Sequence, residues 1–400
     1  MAKKLNILFV HEVSYLNKPI FEMHEFPELL AERGHKVSFI QFDEGYKFWQ
    51  RKRSPKKQTI SGRVHSKAKL NLFTPFLLGI PGVDRFLAIF TFVPLLSSLL
   101  KKNKFDVIVQ YAVPTYGLQT NWIAKANKTP VVFRALDVSH KIRKTPLAPL
   151  IKLAEKRVYS GATLISANNP GMGIYCQTLG SRPDKSITNL PPLDLKHFQA
   201  QAPDAALQKQ LGILPTDQVI TYMGSFFYFS GLVDLIKSFA TLNEPNTKLL
   251  IIGGGEQEAE LHQLTKEFHL EGKVIFTGFI DYSLLPKYFS LATVAVNPMQ
   301  PGLVSNTAFP HKVLQYIAAG LPVVSTKLDG IYKTFGEASG ITWVANSSDV
   351  ADAAISLATD SKLSKKNAML QTKVATGILG TEIALNYFEE TLNQAVRLKR

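Results

Sequence analysis

Three loops in the second half of the sequence combine residue types that bind phosphate groups. Gly224-Ser225-Phe226 and Gly253-Gly254-Gly255-Glu256 each follow an apolar run that predicts a buried strand, and residues 306–310 precede a predicted helix, His311–Ala319. Glycine allows a phosphate close to the backbone, and free amides at a helix start attract its charge. Each loop alone also fits a purely structural turn, and neither a Walker loop nor a dinucleotide fingerprint is present.

Alternating predicted strands and helices must position these loops. The predicted strands are Leu5–Val10, Lys36–Gln41, Val107–Gln110, Val131–Phe133, Val219–Met223, Lys248–Ile252, Val274–Thr277, Thr293–Val296 and Pro322–Ser325. A proline-containing segment, Asn189–Asp204, predicts a linker, and an amphipathic pattern predicts a last helix from Thr381 to Leu398. The alternation predicts an α/β protein of two parallel-sheet units, whose ligands bind beyond the carboxyl ends of the strands.

Composition excludes several classes of protein. The 400 residues are 46% hydrophobic, which excludes a disordered chain. One cysteine, Cys176, forbids an intramolecular disulfide and a cysteine-rich metal site, and predicts a reducing compartment. The histidines lack the close spacing of metal ligands, so no metal site is expected.

The positive charge is concentrated in one segment. The chain carries 46 Lys and Arg against 31 Asp and Glu, a formal charge of +15. Between Lys47 and Lys69 there are cations but no acid: Lys47, Arg51, Lys52, Arg53, Lys56, Lys57, Arg63, Lys67 and Lys69. An anionic membrane, a nucleic acid or an acidic substrate would suit this segment, and a solvated loop is the alternative.

An apolar stretch favours the membrane among these partners. Phe86 to Leu100 covers about fifteen residues, fewer than the ~18–20 that cross a bilayer, and fits either a core helix or a helix lying at the headgroup boundary. Cations on both sides, such as Lys101 and Lys102, suit an anionic leaflet. No nucleic-acid-binding module is recognised, so no nucleic acid is expected. The start of the sequence lacks a signal-peptide pattern, which predicts a cytoplasmic protein, peripheral on the inner face of the cell membrane.

The sequence resembles a known enzyme family. From Val219 to Ser325 it reads GSF-x4-GL-x2-LI-x-SF, LLIIGGGEQEAEL, KVIFTGFI, LATVAVNP and FPHKVLQYIAAGLPVVST, which is similar to the C-terminal domain of family-4 glycosyltransferases of the GT-B fold. LLAERGHKVSF, RALD and ITNLPPLDLKHF in the first half resemble the family more loosely.

This resemblance implies two Rossmann-like domains whose parallel sheets face a central cleft. Residues 1–198 would form the membrane-docking, acceptor-binding domain and 205–380 the nucleotide-sugar domain, and helix 381–400 would return toward the first domain. Family members usually carry two glutamates with seven residues between them, where this chain has Thr307 and Gln315, and a basic pair where it has Ser225 and Ser230. The Lys312–Gln315 spacing resembles the donor site of the glucuronosyltransferase of xanthan assembly.

The family resemblance also implies which residues form the site. Donor-binding candidates are Gly224, Ser225, Phe226, Gly254, Phe279, Ile280, Asn306, Thr307, Ala308, Lys312 and Gln315. Diphosphate is expected at Ser225, Ala308 and Lys312, with the base and ribose at Phe279, Ile280 and Gln315. Lys312 is also a catalytic candidate, because its ammonium would neutralise the leaving phosphate.

Acceptor-side candidates lie in the first half. Asp137 would be the general base of an inverting transfer, or it caps the following helix. Acceptor-binding candidates, each with a structural role as the alternative, are His11, Lys18, His24 and Arg134, and Lys141 and Arg143 could contact an acceptor phosphate.

The expected function is transfer of a sugar from a nucleotide-diphosphate donor to a membrane-associated, lipid-linked acceptor. No cofactor is expected beyond the donor substrate. Since both family glutamates are missing, a non-catalytic GT-B relative that binds a nucleotide sugar or a membrane partner is the alternative.

Overall fold

The computed structural model describes residues 4–18, 20–43, 56–80, 82–142, 145–192, 195, 197–242 and 244–398. The chain divides into two compact units, one of Met1–Pro192 with Glu382–Arg400 and the other of Leu193–Thr381. The predicted basic cluster from Lys47 to Arg53, and Arg143, lie outside the described residues.

The first unit contains a sheet of eight strands among the described residues. They are β1 (Asn6–Val10), β2 (Lys36–Ile40), β3 (Lys56–Ser61), β4 (Lys69–Thr74), β5 (Val107–Gln110), β6 (Val131–Ala135), β7 (Leu164–Ala167) and β8 (Ser186–Thr188). Their order is β3-β4-β2-β1-β5-β6-β7-β8, and every neighbouring pair is parallel except β3 with β4. The strand order reverses where β1 lies between β2 and β5, a position beyond which ligands bind in such sheets.

Helices cover both faces of this sheet. They are α1 (Glu22–Glu32), α2 (Val83–Lys102), α3 (Gly117–Ala126), α4 (Ser139–Ile142), α5 (Ala148–Gly161) and α6 (Pro170–Thr178). Because strand side chains alternate between faces, Leu8, Ile108 and Phe133 pack beneath α2, α3 and α5, whereas Ile7 and Val132 pack beneath α1.

The β3–β4 hairpin contains the described part of the basic segment, which the sequence did not predict to form strands. In its turn, the Arg63 backbone N–H donates to Glu28 Oε1 at 2.8 Å. The Arg63 guanidinium donates to the carbonyls of Tyr15 and Lys18 at 2.9 and 2.7 Å. Arg63, one of the cations of the basic segment, therefore holds the β3–β4 hairpin against α1 and the loop that follows β1.

Helix α2 is longer than the predicted apolar stretch. It has 20 residues, and it is the one helix in the described part of the chain whose length and composition suit a membrane crossing. The prediction that this stretch is too short was therefore wrong, because the helix extends past both ends of Phe86–Leu100. Ala88 and Phe92 are buried against the sheet while Phe86 and Phe90 are exposed, so α2 has both a core face and an exposed apolar face.

The second unit contains a six-stranded parallel sheet among the described residues. Its order is β11-β10-β9-β12-β13-β14. The strands are β9 (Gln218–Met223), β10 (Thr247–Ile252), β11 (Val274–Gly278), β12 (Val294–Asn297), β13 (Val323–Thr326) and β14 (Thr342–Val344). The helices are α7 (Ala205–Gln210), α8 (Leu232–Leu242), α9 (Glu258–Glu267), α10 (Leu285–Phe289), α11 (Leu303–Thr307), α12 (His311–Ala318), α13 (Asp329–Phe335), α14 (Val350–Thr359) and α15 (Ser361–Leu379).

The last helix, α16 (Thr381–Leu398), has the predicted bounds and packs on the first unit. Its Phe388 ring lies 4.3 Å from the Phe26 ring of α1, measured between centroids. The Arg33 guanidinium donates to Glu389 of α16 at 2.8 Å. This helix therefore completes the core on the α1 face of the sheet.

Arg134, at the end of β6, is fully buried. Its Nε and Nη2 donate to the two carboxylate oxygens of Glu22 in α1 at 2.6 and 2.7 Å, and Nη1 donates to the Asn189 carbonyl at 2.6 Å. The Phe26 and Phe388 rings lie 5.2 and 5.7 Å from the guanidinium carbon. This side chain therefore connects β6, α1, α16 and the segment after β8.

We expect Arg134→Met to destabilise the protein by about 3–5 kcal/mol, because it leaves the Glu22 carboxylate buried without its partner. Urea unfolding measures this loss. Arg182→Met is the matched control: its pair with Asp184 is largely exposed, so the change should stay within about 1 kcal/mol. A similarly small loss for Arg134→Met would contradict the structural role of the pair.

Candidate functional site

The strand order of the second sheet reverses at β9, which pairs with β10 on one side and β12 on the other. Gly224 follows β9 directly with a φ of +146°, a conformation that favours glycine. A Cβ atom at Gly224 would lie 3.2 Å from Lys312 Nζ. The structure thus brings two predicted donor-site residues together at a position where parallel sheets bind ligands.

Lys312, the second residue of α12, presents a partly buried ammonium at this position. Its Nζ lies 4.0 Å from the centroid of the Tyr222 ring, and it makes no hydrogen bond or ion pair with the described residues. Burial lowers the pKa of Lys312 to about 7. A cation without a protein anion beside it can take a phosphate oxygen as its partner.

Two tyrosines missed by the sequence analysis hold this arrangement. The Tyr222 hydroxyl donates to the Ser225 carbonyl at 3.0 Å, and the Met223 N–H donates to the Tyr316 hydroxyl at 2.6 Å. Tyr316 follows Lys312 by four residues and so shares its face of α12, which is the signal that could have identified it. No pattern in the sequence predicts the hydrogen bond between Tyr316 and Met223 of β9.

Close contact with the Gly224 loop explains why the loop Gly253-Gly254-Gly255 consists of glycines. A Cβ atom at Gly253 would lie 2.1 Å from the Gly224 carbonyl oxygen, and one at Gly254 would lie 2.9 Å from Phe279 Cε2. The Phe226 N–H donates to the Gly254 carbonyl at 3.0 Å. The structure supports the structural alternative for this loop. The Phe226 side chain is buried and its N–H is bonded, so donor contact by Phe226 stays a prediction that the structure does not support.

Helix α11 changes the prediction for the segment before α12. The Thr307 hydroxyl donates to the carbonyl of Leu303 at 2.8 Å, and the Ala308 N–H donates to the carbonyl of Val304 at 3.0 Å. The unpredicted helix thus already uses the Ala308 amide, so the structure gives no support to the predicted contact of this amide with diphosphate, which stays a prediction. The Asn306 side chain makes no hydrogen bond with the described residues.

Other predicted donor residues remain available to a ligand. Phe279 is 74% exposed just after β11, Ile280 is half-buried, and Ser225 is exposed. Gln315 lies three residues after Lys312 on α12, and its amide makes no hydrogen bond with the described part of the chain. Lys312 and Gln315 thus share a helix face.

In the first unit, Asp137 lies between β6 and α4. Its carboxyl makes no hydrogen bond or ion pair with the described residues, so the helix-cap alternative finds no support. Loss of hydration to the surrounding protein, followed by the charge of Glu22, raises the pKa of Asp137 to about 6. A carboxyl with this pKa can accept a proton near neutral pH.

His11 lies at the carboxyl end of β1 and stacks on Tyr111, with 4.9 Å between ring centroids. Its Nδ1 accepts the Glu12 N–H at 2.8 Å, and its Nε2 has no partner within the described structure. Burial, followed by nearby cationic side chains, lowers the pKa of His11 to about 3, so the ring is neutral. Tyr111, which the sequence analysis missed, has a buried hydroxyl that makes no hydrogen bond with the described residues.

Two predicted acceptor residues have structural roles instead. The His24 ring accepts the Phe21 N–H at Nδ1 (3.3 Å), while Nε2 lies 2.8 Å from the Tyr15 carbonyl. Burial lowers the pKa of His24 to about 4. Both His24 and Arg134 are buried and paired, so the structure gives no support to the acceptor contacts predicted for them, which stay predictions. Lys18 lies near His11 and is partly exposed.

Comparison with known proteins assigns both units to glycosyltransferase families. Residues 204–373 match the family described as glycosyl transferases group 1, and residues 23–191 match the glycosyl transferase 4-like domain. The chain is a family-4-like glycosyltransferase of the GT-B fold. In the described part of this glycosyltransferase, no three His, Cys, Asp or Glu side chains cluster as metal ligands would.

Relatives of this glycosyltransferase act on different substrates. It is 23% identical over 347 residues to the N-acetyl-alpha-D-glucosaminyl L-malate synthase of Bacillus anthracis, covering 85% of this chain and 84% of that protein. It is 28% identical over 183 residues to the GDP-mannose-dependent monoacylated alpha-(1-6)-phosphatidylinositol monomannoside mannosyltransferase of Corynebacterium glutamicum, covering 44% and 46%.

A solved structure of Anabaena Alr3699/HepE in complex with UDP-glucose shares this fold. Its TM-score is 0.75 at 17% sequence identity, covering 98% of this chain and 100% of that one. The predicted GT-B fold is thus confirmed. The likeness of Lys312 and Gln315 to the xanthan-pathway enzyme stays a prediction.

We expect Gly253→Ala to destabilise the second unit strongly, because its Cβ would overlap the Gly224 carbonyl oxygen. Gly272→Ala is the control, since Gly272 also has a positive φ (+82°) but open space around it. The control should cost about 1–2 kcal/mol and Gly253→Ala clearly more, as measured by urea unfolding. Equal losses would contradict the loop contact.

Proposed function

We propose that this glycosyltransferase moves a sugar from a nucleotide-diphosphate donor to a membrane-associated, lipid-linked acceptor. The Lys312 ammonium carries the proposal, because it lies at the end of β9 without a protein anion. Its charge would stabilise the leaving diphosphate most as the glycosidic bond breaks. The UDP-glucose bound by HepE and the GDP-mannose in the name of the Corynebacterium relative support a donor of this class.

Groups around Lys312 suit the rest of such a donor. The exposed Phe279 ring can stack with a nucleotide base, and the unbonded Gln315 amide can hydrogen-bond ribose hydroxyls. Ser225 and Asn306 offer polar groups to the diphosphate and sugar. The proposal needs no metal or other cofactor, because Lys312 supplies the positive charge.

Asp137 supports an inverting transfer. The acceptor hydroxyl would give its proton to the Asp137 carboxylate while its oxygen bonds to the anomeric carbon and the bond from that carbon to the diphosphate breaks. In a retaining transfer the leaving phosphate would take this proton instead. His11, with its unbonded Nε2, and the partly exposed Lys18 are the remaining acceptor candidates.

The exposed apolar face of α2 supports a membrane-held acceptor. Phe86 and Phe90 point away from the core, and Lys101 and Lys102 end the helix. In the described part of the basic segment, the side chains of Lys57, Lys67 and Lys69 are exposed. The phosphatidylinositol in the name of the Corynebacterium relative also suits a lipid acceptor. We propose a peripheral position on the cytoplasmic face of the cell membrane.

A non-catalytic relative that only binds nucleotide sugar or a membrane partner is the second candidate. Thr307 replaces a family glutamate, and its hydroxyl is bonded within α11. A panel of nucleotide sugars incubated with the purified chain and membrane lipid extract separates the two. Release of nucleotide supports the transferase, whereas donor binding without turnover supports the alternative.

Lys312→Ala should lower turnover by about 10²-fold or more without unfolding the protein, because the leaving diphosphate loses its cation. Lys333→Ala is the control, since this exposed lysine pairs with Asp329 at 3.2 Å in the same unit. Near-normal turnover in Lys312→Ala would contradict the assignment.

The pH dependence gives a second readout for Lys312. Because the pKa of Lys312 is about 7, its side chain is mainly a charged ammonium below that pH and a neutral amine above it. Donor affinity, measured by calorimetry, should therefore fall from pH 6 to pH 8 in the wild type. It should change little over this range in Lys312→Ala.

Asp137→Asn should lower transfer about 10²-fold or more while donor affinity stays the same, because the amide cannot accept the proton. In the wild type, transfer should rise with pH through about 6 as the carboxyl ionises. Asp184→Asn, an exposed change in the same unit, serves as the control. Full activity of Asp137→Asn would assign proton acceptance to the leaving phosphate.

A further inference from the structure

Three neighbouring helices of the first unit expose large apolar side chains. α2 exposes Phe86 and Phe90, α3 exposes Trp122, and α5 exposes Leu150 and Leu153, each at least half accessible to solvent. Exposed aromatic and aliphatic side chains in such number are unusual for a surface that faces only water. We call this set the docking face.

The three helices form one continuous layer. The Gln119 amide of α3 donates to the Ile89 carbonyl of α2 at 3.4 Å, and the Asn121 amide donates to the Val158 carbonyl of α5 at 3.0 Å. All three cover the sheet face that carries Leu8. Their outward side chains therefore point to the same side of the unit.

The charges on this layer have one sign. Every exposed charged side chain of the three helices, all of whose residues are described, is a cation: Lys101, Lys102, Lys125, Lys152, Lys156 and Arg157. The two acids in these helices are buried. Asp84 accepts the backbone N–H groups of Gly79 and Ile80 at 2.7 and 2.9 Å, and Glu155 contacts His140 Nδ1 at 2.6 Å.

The opposite face of the sheet differs. It carries α1 and α16, where the exposed acids Glu382 and Glu390 pair with Arg33 and Arg397. Positive and negative charges are therefore mixed on this face, and an anionic surface would be attracted mainly to the face of α2, α3 and α5.

We propose that α2, α3 and α5 together dock on an anionic lipid leaflet, with Trp122 and the leucines of α5 entering it beside the phenylalanines of α2. Apolar side chains would enter the headgroup boundary while the lysines reach lipid phosphates. A tryptophan suits this boundary because its ring is apolar and its N–H remains polar.

One helix of the docking face, α5, follows the candidate base closely in the sequence. α4 begins two residues after Asp137 and connects to α5, and Ile142 at its end is also exposed. A lipid-linked acceptor could keep its chain in the leaflet while its hydroxyl reaches Asp137. The inference rests on the proposed function in this respect, because it assumes an acceptor held in a membrane.

Single labelling tests the inference in the full-length protein. Cys176, the one cysteine of the sequence, is buried, so a cysteine introduced at the surface takes a polarity-sensitive fluorophore selectively. The variants are Phe90→Cys, Trp122→Cys and Leu153→Cys. Met369→Cys is the control, because Met369 is 75% exposed on α15 of the second unit.

Vesicles of phosphatidylcholine with about one third phosphatidylglycerol should shift the emission of the labels at 90, 122 and 153 to the blue, but not that at 369. Phosphatidylcholine alone or high salt should weaken the shift. Joint Trp122→Ser and Leu153→Ser changes should weaken vesicle binding about tenfold or more. Joint Met369→Ser and Leu363→Ser changes, at exposed sites on α15, are the matched control.

Three outcomes would overturn the inference. A shift only at position 90 would limit docking to α2, and no shift at any position would exclude docking. A concentration-dependent shift without vesicles would mean that a protein surface, such as a second copy of the chain, covers this face. Donor affinity measured without vesicles tests the Lys312 site separately, so failure of docking and failure of the donor site are distinguishable.

Discussion

The buried ion pair between Arg134 and Glu22 is the interaction on which the first unit depends. Its two short hydrogen bonds join the end of β6 to the start of α1, while Ser166 of β7 and the Asn189 carbonyl take further guanidinium hydrogens. Because the charges are removed from water, any displacement of these elements would leave one of them unpaired. Asp137 follows Arg134 by three residues, and the Glu22 charge contributes to its raised pKa. The same pair therefore influences both where the candidate base lies and when it ionises.

The proposed donor site has the opposite arrangement, a cation that no acid among the described residues pairs with. Lys312 packs on the ring of Tyr222, which attracts an ammonium through its π-electrons but cannot neutralise it as a carboxylate would. A Cβ atom at Gly253 would overlap the Gly224 carbonyl oxygen, and the lack of a side chain at Gly224 leaves room for the Lys312 ammonium. Since Thr307 and Gln315 are neutral, no carboxylate at these positions competes with an incoming diphosphate for the ammonium.

Local patterns predicted the elements, and contacts between distant elements decided the side-chain roles. Apolar runs identified β1, β2, β9 and β10 and the helical pattern identified α16, because buried strands and amphipathic helices leave periodic signals. The hairpin β3–β4 was not predicted, because its lysines obscure the alternation of apolar and polar residues. At the candidate site, Gly224 was predicted from the glycine loop that follows a strand, and Lys312 and Gln315 from the resemblance to the family. The burial of Arg134, the bonding of the Ala308 amide and the contact of Tyr222 with Lys312 each depend on a partner distant in the sequence or on an unpredicted helix.

The return of α16 to the first unit has a consequence for recombination between related enzymes. A gene segment encoding only residues 1–192 would lack Phe388 and Glu389, which cover Phe26 and pair with Arg33. Exchange of the second unit between homologues would therefore need two crossovers, one after Pro192 and one near Thr381, so that each first unit keeps its own last helix. A single crossover would combine an α1 surface from one parent with an α16 surface from another. Selection for a matched pair would thus favour inheritance of the two chain ends together.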